Sequence, residues 1–197
     1  MNLNRTRLLV AGAASITMTA TALTVAHAVS AGNGAVHASA SIVGTPSAGD
    51  PAPVVGVAMF TEDSTGVVHV NVKTWGLSAG LHGMHIHAIG ACAPTFASAG
   101  GHFNPTAAGH GEHSHGDHAD HHAGDLPNLI VNGAGRGHAN TASAHFTLTA
   151  DATRSLLGGD GSAIVIHANV DDFTAGTVET GPGNSGARIA CGVIEES

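Results

Sequence analysis

The chain contains no tyrosine, one tryptophan and five phenylalanines, so aromatic residues make up only 3% of its 197 positions. Its core must therefore be built from small and aliphatic side chains. Charged residues are 10% of the total, and only six are Lys or Arg. Two of those six, Arg5 and Arg7, stand in the first segment. The remaining basic residues are Lys73, Arg136, Arg154 and Arg188, set against 14 acidic residues that all lie further along, for a net charge of −10 with His neutral. So acidic a surface excludes nucleic acid and anionic membrane as partners. No stretch keeps a 3.6-residue apolar period over three turns, which excludes a helical bundle. Cysteine is limited to Cys92 and Cys191.

What is present begins with a targeting pattern. Arg5 and Arg7 precede a run of apolar or small residues from Leu8 to Val25, and Ala26-His27-Ala28 matches an A-x-A cleavage site. Residues 1–28 are expected to be a cleaved secretory signal peptide. The alternative is an uncleaved anchor, although many Ala, Thr and Ser make the run weakly hydrophobic. Residues 29–35 read as a flexible lead-in and 36–197 as one domain, long enough for a sizeable core. The mature chain is thus expected outside the cytoplasm: extracellular, periplasmic or associated with the cell envelope, and free of membrane once cleaved. In an exported chain an even cysteine count favours a disulfide over two free buried thiols. It would close a loop of about 100 residues, worth up to about 4.7 kcal/mol in the chain-entropy description.

The domain reads as short strands separated by Gly, Pro, Asn and Asp. Val36–Ile42, Val54–Phe60, Val67–Val72, Leu129–Val131, Ala142–Leu148 and Ala163–Ile166 are expected strands, with Glu62–Gly66 as a hairpin turn. Short strands at such spacing indicate an all-β antiparallel sandwich or barrel. Two long segments, Ala88–Asn128 and Ala168–Gly186, interrupt it, and loops of that length are usually functional.

Histidine is the abundant reactive type, with 16 residues. His85 and His87 are two apart, so on a strand both imidazoles share a face and can converge on one ion. His82 is three residues before His85 and belongs to the opposite face, which favours a structural hydrogen bond over ligation. His167 ends an apolar run, where a lone His is more often a core residue than a ligand. On the first long segment, His102, His110, His122 and Asp125 supply three imidazoles and a carboxylate, a closed set that suits zinc.

These motifs carry a family resemblance. Gly80-Leu81-His82-Gly83-Met84-His85-Ile86-His87, Gly101-His102-Phe103-Asn104-Pro105, His122-Ala123-Gly124-Asp125-Leu126 and Gly183–Ile194 resemble copper/zinc superoxide dismutase, in family order, over about Val36 to Ile194. The resemblance implies a Greek-key β-sandwich or flattened barrel with two long functional loops. It implies copper on His85, His87, His102 and His167, with His102 bridging to a zinc held by His110, His122 and Asp125. Asp171 would link one copper ligand to one zinc ligand, Cys92 and Cys191 would form the disulfide, and Arg188 would be the active-site arginine. The implied activity is conversion of superoxide to dioxygen and hydrogen peroxide, with copper as the redox metal, zinc structural, and Arg188 and His102 catalytic. Family dimers use different faces in different lineages, so a homodimer is admitted without a face being selected.

The match departs from the family at three places. Glu112–His121 lengthens the first loop and adds His113, His115, His118 and His121, which read either as a solvated polar insert or as auxiliary metal capture. The span between His167 and Arg188 lacks Lys and Arg, where relatives often carry lysines near the channel. Ala88 and Ile89 stand where many relatives have Glu and Phe. Two other readings stay open: a copper/zinc-buffering protein of the same fold that uses the His-rich loop, and a copper-only variant, against which His110, His122 and Asp125 argue.

Overall fold

The computed structural model describes residues 35–93, 95–111, 121–150, 152–174 and 182–197. The expected signal peptide, lead-in residues 29–34, and His113, His115 and His118 lie outside the described residues. Among the described residues there are nine strands: β1 (Val36–Gly44), β2 (Val54–Glu62), β3 (Val68–Thr74), β4 (Gly80–His87), β5 (Asp125–Val131), β6 (Gly137–Ser143), β7 (Ala163–His167), β8 (Arg188–Val193) and the two-residue β9 (Glu195–Glu196).

The first eight strands pair in the order β2-β3-β6-β5-β4-β7-β8-β1, and β1 returns to β2, so the sheet closes into a barrel. All the ladders are antiparallel. Closure leaves none of these strands as a free edge. The β3–β6 and β4–β7 neighbours are far apart in sequence, which is the Greek-key connectivity.

Alternation explains the inside. Val68, Val70 and Val72 of β3 are buried while His69 and Lys73 face out. Ala38, Ala40 and Ile42 of β1 point inward beside them. With so few aromatics, Phe60 and Phe146 are the large fillers of a core otherwise made by Val, Ile, Leu, Ala and Met84. Each fully buried aliphatic or Phe side chain contributes about 1.5–3 kcal/mol of apolar transfer.

The expected strand Ala142–Leu148 is a correction. The strand in this region is β6, Gly137–Ser143, and residues 144–146 bend away from the sheet. Phe146 and Leu148 are both buried in the core, which gives the segment its strand-like alternation. The buried Glu62 carboxylate does the satisfying that a partner strand would have done. It accepts from the Thr147 hydroxyl (2.6 Å) and from the backbone N–H groups of Leu148 (2.7 Å) and Thr149 (3.1 Å). Glu62→Ala would orphan these donors, an expected loss of about 3 kcal/mol. In a domain of this size that lowers the melting temperature by on the order of 10 °C. Thermal unfolding checks it, with Glu62→Gln recovering part of the loss; an unchanged melting point for the alanine variant would contradict the role.

Cys92 and Cys191 form a disulfide across 99 residues of chain. It fastens the first loop to β8, at a position where β8 also pairs with β1 and β7.

Candidate metal centre

The barrel wall sets two histidines outward. On β4, Met84 and Ile86 point into the core, so the alternate residues His85 and His87 point out under the loops. A bulge at Gly83 shifts the β4–β5 register between His82 and Met84. A side chain at Gly83 would press on Ser185 and Asp171, so the second loop packs directly on this glycine. His82 is buried and holds the structure rather than joining the cluster. Its Nδ1 lies 2.7 Å from the His167 carbonyl, and its Nε2 lies 3.0 Å from the Ser78 carbonyl and 3.3 Å from the Ser78 hydroxyl.

The first loop returns along the end of β4. Phe103 N–H donates to the Ile86 carbonyl, and Ile86 N–H donates to the Gly124 carbonyl, both at 2.8 Å. Gly124 has no room for a side chain, because a Cβ there would overlap the Ile86 carbonyl oxygen. This tight lay-down forms an antiparallel bridge that sets His102 opposite His87. It also sets Asp125 opposite His85 in the β4–β5 ladder. His167 ends β7 on the other side of β4, and Arg188 faces it across the β7–β8 ladder.

Among the described residues two groups of four side chains able to hold a metal ion result, with His85, His110 and Asp171 as a smaller third between them. His85, His87, His102 and His167 each bring one ring nitrogen within 4.8 Å of the others. His102, His110, His122 and Asp125 do the same, so His102 belongs to both groups. In the second group the Nδ1 atoms of His102, His110 and His122 lie 2.7, 2.9 and 3.2 Å from the Asp125 carboxylate. Asp171 lies between the groups, with one oxygen 2.5 Å from His85 Nε2 and the other 3.0 Å from His110 Nε2.

Hydrogen bonding selects one nitrogen on each ring of the first group. His85 uses Nε2 on Asp171, while His87 and His167 donate from Nδ1 to the Gly100 and Gly186 carbonyls at 2.9 and 3.0 Å. Their other nitrogens, His85 Nδ1, His87 Nε2 and His167 Nε2, are buried without a hydrogen-bond partner among the described residues. A buried polar atom left bare is costly. Three bare lone pairs converging in one group are the arrangement a metal ion resolves. His102 spends Nδ1 on Asp125, which leaves Nε2 for this group.

Charge follows the same division. Burial pushes His85 down to about 3, against a partly restoring hydrogen bond from Asp171. Burial also lowers His87 well below its ordinary value, lowers His102, and takes His167 down to about 4. These four are neutral near pH 7, the form that ligates. His110 is the exception: burial opposes its charge, but Asp125 and Asp171 outweigh that and raise it to about 9. Both carboxylates are held far below the usual range by their imidazole partners, despite the opposing effect of burial. Two carboxylates among three imidazoles therefore favour a cation between them, and a proton on His110 fills that role in the bare protein.

Arg188 is half-buried, and its guanidinium donates to the Phe96 carbonyl (2.7 Å) and the Gly100 carbonyl (2.6 Å). The Gly100 carbonyl is the one that also holds His87, so the cation and the first group share a fixed support. Phe96 presents its carbonyl from a left-handed backbone conformation, φ 56°. Thr45, Thr95, Ala97 and Ala187 line the open hollow in front of Arg188.

The family model described as copper/zinc superoxide dismutase (SODC) matches residues 54–194. The chain belongs to the copper/zinc superoxide dismutase family. It is 38% identical over 143 residues to Superoxide dismutase [Cu-Zn] 2 of Mesembryanthemum crystallinum, covering 72% of this chain and 86% of that one. Among solved structures, a SOD-like protein from Bacillus subtilis superposes with a TM-score of 0.64 at 35% identity, over 78% of this chain and 95% of that one. The clock protein EA4 superposes with a TM-score of 0.64 at 29% identity, over 81% and 93%. Family membership and the two histidine groups together support binding of copper and zinc.

Two supports of this superoxide dismutase-family centre escape sequence reasoning. Asn128 on β5 clamps Asp171 from both sides: its amide donates to the Asp171 carbonyl (2.9 Å) and its carbonyl accepts the Asp171 N–H (2.8 Å). Its signal was a polar residue within the otherwise apolar Leu126–Val131. Gly183 lies over the Asp171 carboxylate with φ 69°, where a Cβ would overlap Asp171 Oδ1 and crowd His110 Nε2. Of the extra histidines, His121 is described: it is buried, with its ring edge-on to that of His145 at 4.6 Å.

Proposed function

We propose that the chain is an exported copper- and zinc-dependent superoxide dismutase, with copper on His85, His87, His102 and His167 and zinc on His102, His110, His122 and Asp125. The observation that carries this reading is the set of three buried, partnerless imidazole nitrogens aimed into one group that His102 shares with the second. When bound, copper supplies a one-electron couple able to oxidise one superoxide and reduce the next, and zinc supplies a fixed positive charge.

The chain's own residues do the rest. Arg188 docks the superoxide anion beside the first group, its guanidinium orientation fixed by the Phe96 and Gly100 carbonyls. His102 holds its ring by Nδ1, so Nε2 is the atom that takes up a proton and returns it as peroxide forms. Asp171 fixes the tautomers of His85 and His110 at once, which keeps both rings turned toward their groups. The disulfide suits an oxidising compartment, in line with export.

The buffering alternative has no use for a cation over the first group, so Arg188 favours the enzyme. Purified protein is expected to hold one copper and one zinc per chain and to dismutate superoxide; bound metal without turnover would move the reading to buffering. Steering gives a second expected result. The span between His167 and Arg188 lacks Lys and Arg on a chain of strong negative charge, so Arg188 attracts the anion with little help. The rate should change little with ionic strength between 10 and 200 mM salt (chosen to vary screening), while Arg188→Ile should lower it about tenfold. A steep fall of the unmodified protein's rate with salt would count against this.

A further inference from the structure

The metal centre uses Arg188, and Arg154 is committed to the Ala144 carbonyl at 2.6 Å. The other two basic residues of the domain, Lys73 and Arg136, come together on a different part of the barrel. They line a hollow of about 690 Å³ with Trp75, His138, Thr74 and Gly137, none of which belongs to the metal centre. Every ion pair among the described residues is between His and Asp, so neither Lys73 nor Arg136 has an acidic partner there. On a chain with so few cations and so many carboxylates, two unneutralised cations in one hollow form a local site for negative charge.

The hollow also has a built aromatic wall. Trp75 is the single tryptophan, and it is 43% exposed. It is not a loose surface side chain, because its indole Nε1–H donates to the Val54 carbonyl at 2.9 Å and its backbone N–H to the Val55 carbonyl at 2.8 Å. The indole bond holds the ring against β2, and the residue stays part-exposed beside the hollow. His138 stands beside Lys73 in the β3–β6 ladder. Its Nε2 faces the side-chain amides of Asn71 and Asn140 at 3.4 and 3.2 Å. Lys73 and Arg136 make the hollow rich in donors, with the flat apolar surface of Trp75 at its side. The nearby exposed apolar residues Val57 and Ile130 flank it, being the cross-strand partners of Lys73 and His138.

We infer that this hollow binds a small organic anion carrying a flat ring. The ring lies on Trp75, where stacking adds to apolar burial, and the anionic group meets Lys73 and Arg136, with Arg136 suited to two-point contact with a carboxylate or phosphate. A second copy of the chain is the poorer occupant, because two such hollows brought face to face would set cations against cations. An aromatic carboxylate and a nucleotide share the required chemistry, and the test separates them.

The single indole makes the site directly readable, since the metal-loaded full-length protein gives one indole N–H cross-peak in a ¹H–¹⁵N correlation spectrum. That peak is followed during titration with AMP, benzoate, adenosine and inorganic phosphate. AMP or benzoate is expected to shift it saturably, at least tenfold more tightly than adenosine, which has the ring without the charge, or phosphate, which has the charge without the ring. Lys73→Met and Arg136→Met should each weaken the binding at least fivefold, with metal content and melting temperature unchanged. Saturation by AMP alone supports the site as a nucleotide site, and by benzoate alone as an aromatic carboxylate site. The inference is overturned if neither anion saturates, if adenosine binds as well as AMP, or if both Met variants bind as before. It is equally overturned if the peak moves with protein concentration in the absence of ligand, which would make a second copy the occupant.

Discussion

His102→Ala is expected to lower copper and zinc content together and to reduce dismutation at least about a hundredfold. Among the described residues no other stands in both four-residue groups. Its ring also bridges space between the groups, with its centroid 4.0 Å from that of His85 and 5.1 Å from that of His122. Removing it breaks the contact to Asp125 and leaves His122, whose Nδ1 lies 3.2 Å from His102 Nδ1, without its neighbour. His87→Ala is the proper contrast. His87 belongs to the first group alone, so this change should remove copper and activity while leaving most of the zinc. Metal analysis of the two variants alongside their rates separates shared from single membership. Equal zinc loss in both would mean that the two groups are not joined through His102.

Arg188→Lys should lower the rate less than Arg188→Ile, because the charge is kept, and what it loses is geometric. Lysine keeps the charge but cannot span the Phe96 and Gly100 carbonyls as the fork of the guanidinium does. The sharing of the Gly100 carbonyl between Arg188 and His87 means that the arginine's position and one ligand's tautomer rest on the same atom.

The alternation of Val68, Val70 and Val72 was enough to find β3, and the run Glu62-Asp63-Ser64-Thr65-Gly66 was enough to find the turn, which the Asp63 carboxylate caps in the folded chain. The face shared by His85 and His87 was also legible, since it depends only on the two-residue repeat of a strand. By contrast β6, Gly137-His138-Ala139-Asn140-Thr141-Ala142-Ser143, carries almost no strand propensity, and its place is imposed by seven-residue pairing with β3. Tertiary pairing overrides propensity there. The false strand at Ala142–Leu148 arose from the opposite error: burial of Phe146 and Leu148 without pairing. In the centre itself, the choice of ring nitrogen was illegible, because it depends on carbonyls of Gly100 and Gly186 that reach each ring only in the folded chain. Asn128 and Gly183 stayed hidden for the same reason, since both act on Asp171 from distant segments.

Stability of the metal-free protein should pass through a maximum near pH 6.5 and fall on both sides. His85, His87, His102 and His167 are depressed by burial, with His85 at about 3 and His167 at about 4. Between these values and 6.5 each is protonated when unfolded and neutral when folded. The unfolded state then binds more protons, so stability rises with pH through this window and is lost as the pH falls from about 6.5. Each such histidine contributes on the order of 1 kcal/mol per pH unit, and His85 and His167 alone make the loss several kcal/mol by pH 4.5. His110 has the opposite sign. Raised to about 9, it stabilises fully below 6.5 and loses that contribution as the pH climbs from 6.5 to 9. Asp125 and Asp171, held far below their ordinary values, contribute throughout this range and lose their share only in stronger acid. Urea unfolding of chelator-treated protein at pH 4.5, 6.5 and 9 reads all three regimes. His110→Gln should flatten the alkaline limb and leave the acid limb in place, because the two limbs belong to different histidines. A profile that is level from pH 4.5 to 6.5 would refute the burial of four neutral imidazoles. Copper and zinc bound as proposed would occupy the same nitrogens that protons compete for, so the loaded protein should keep its stability to lower pH than the metal-free form, until acid displaces the metals.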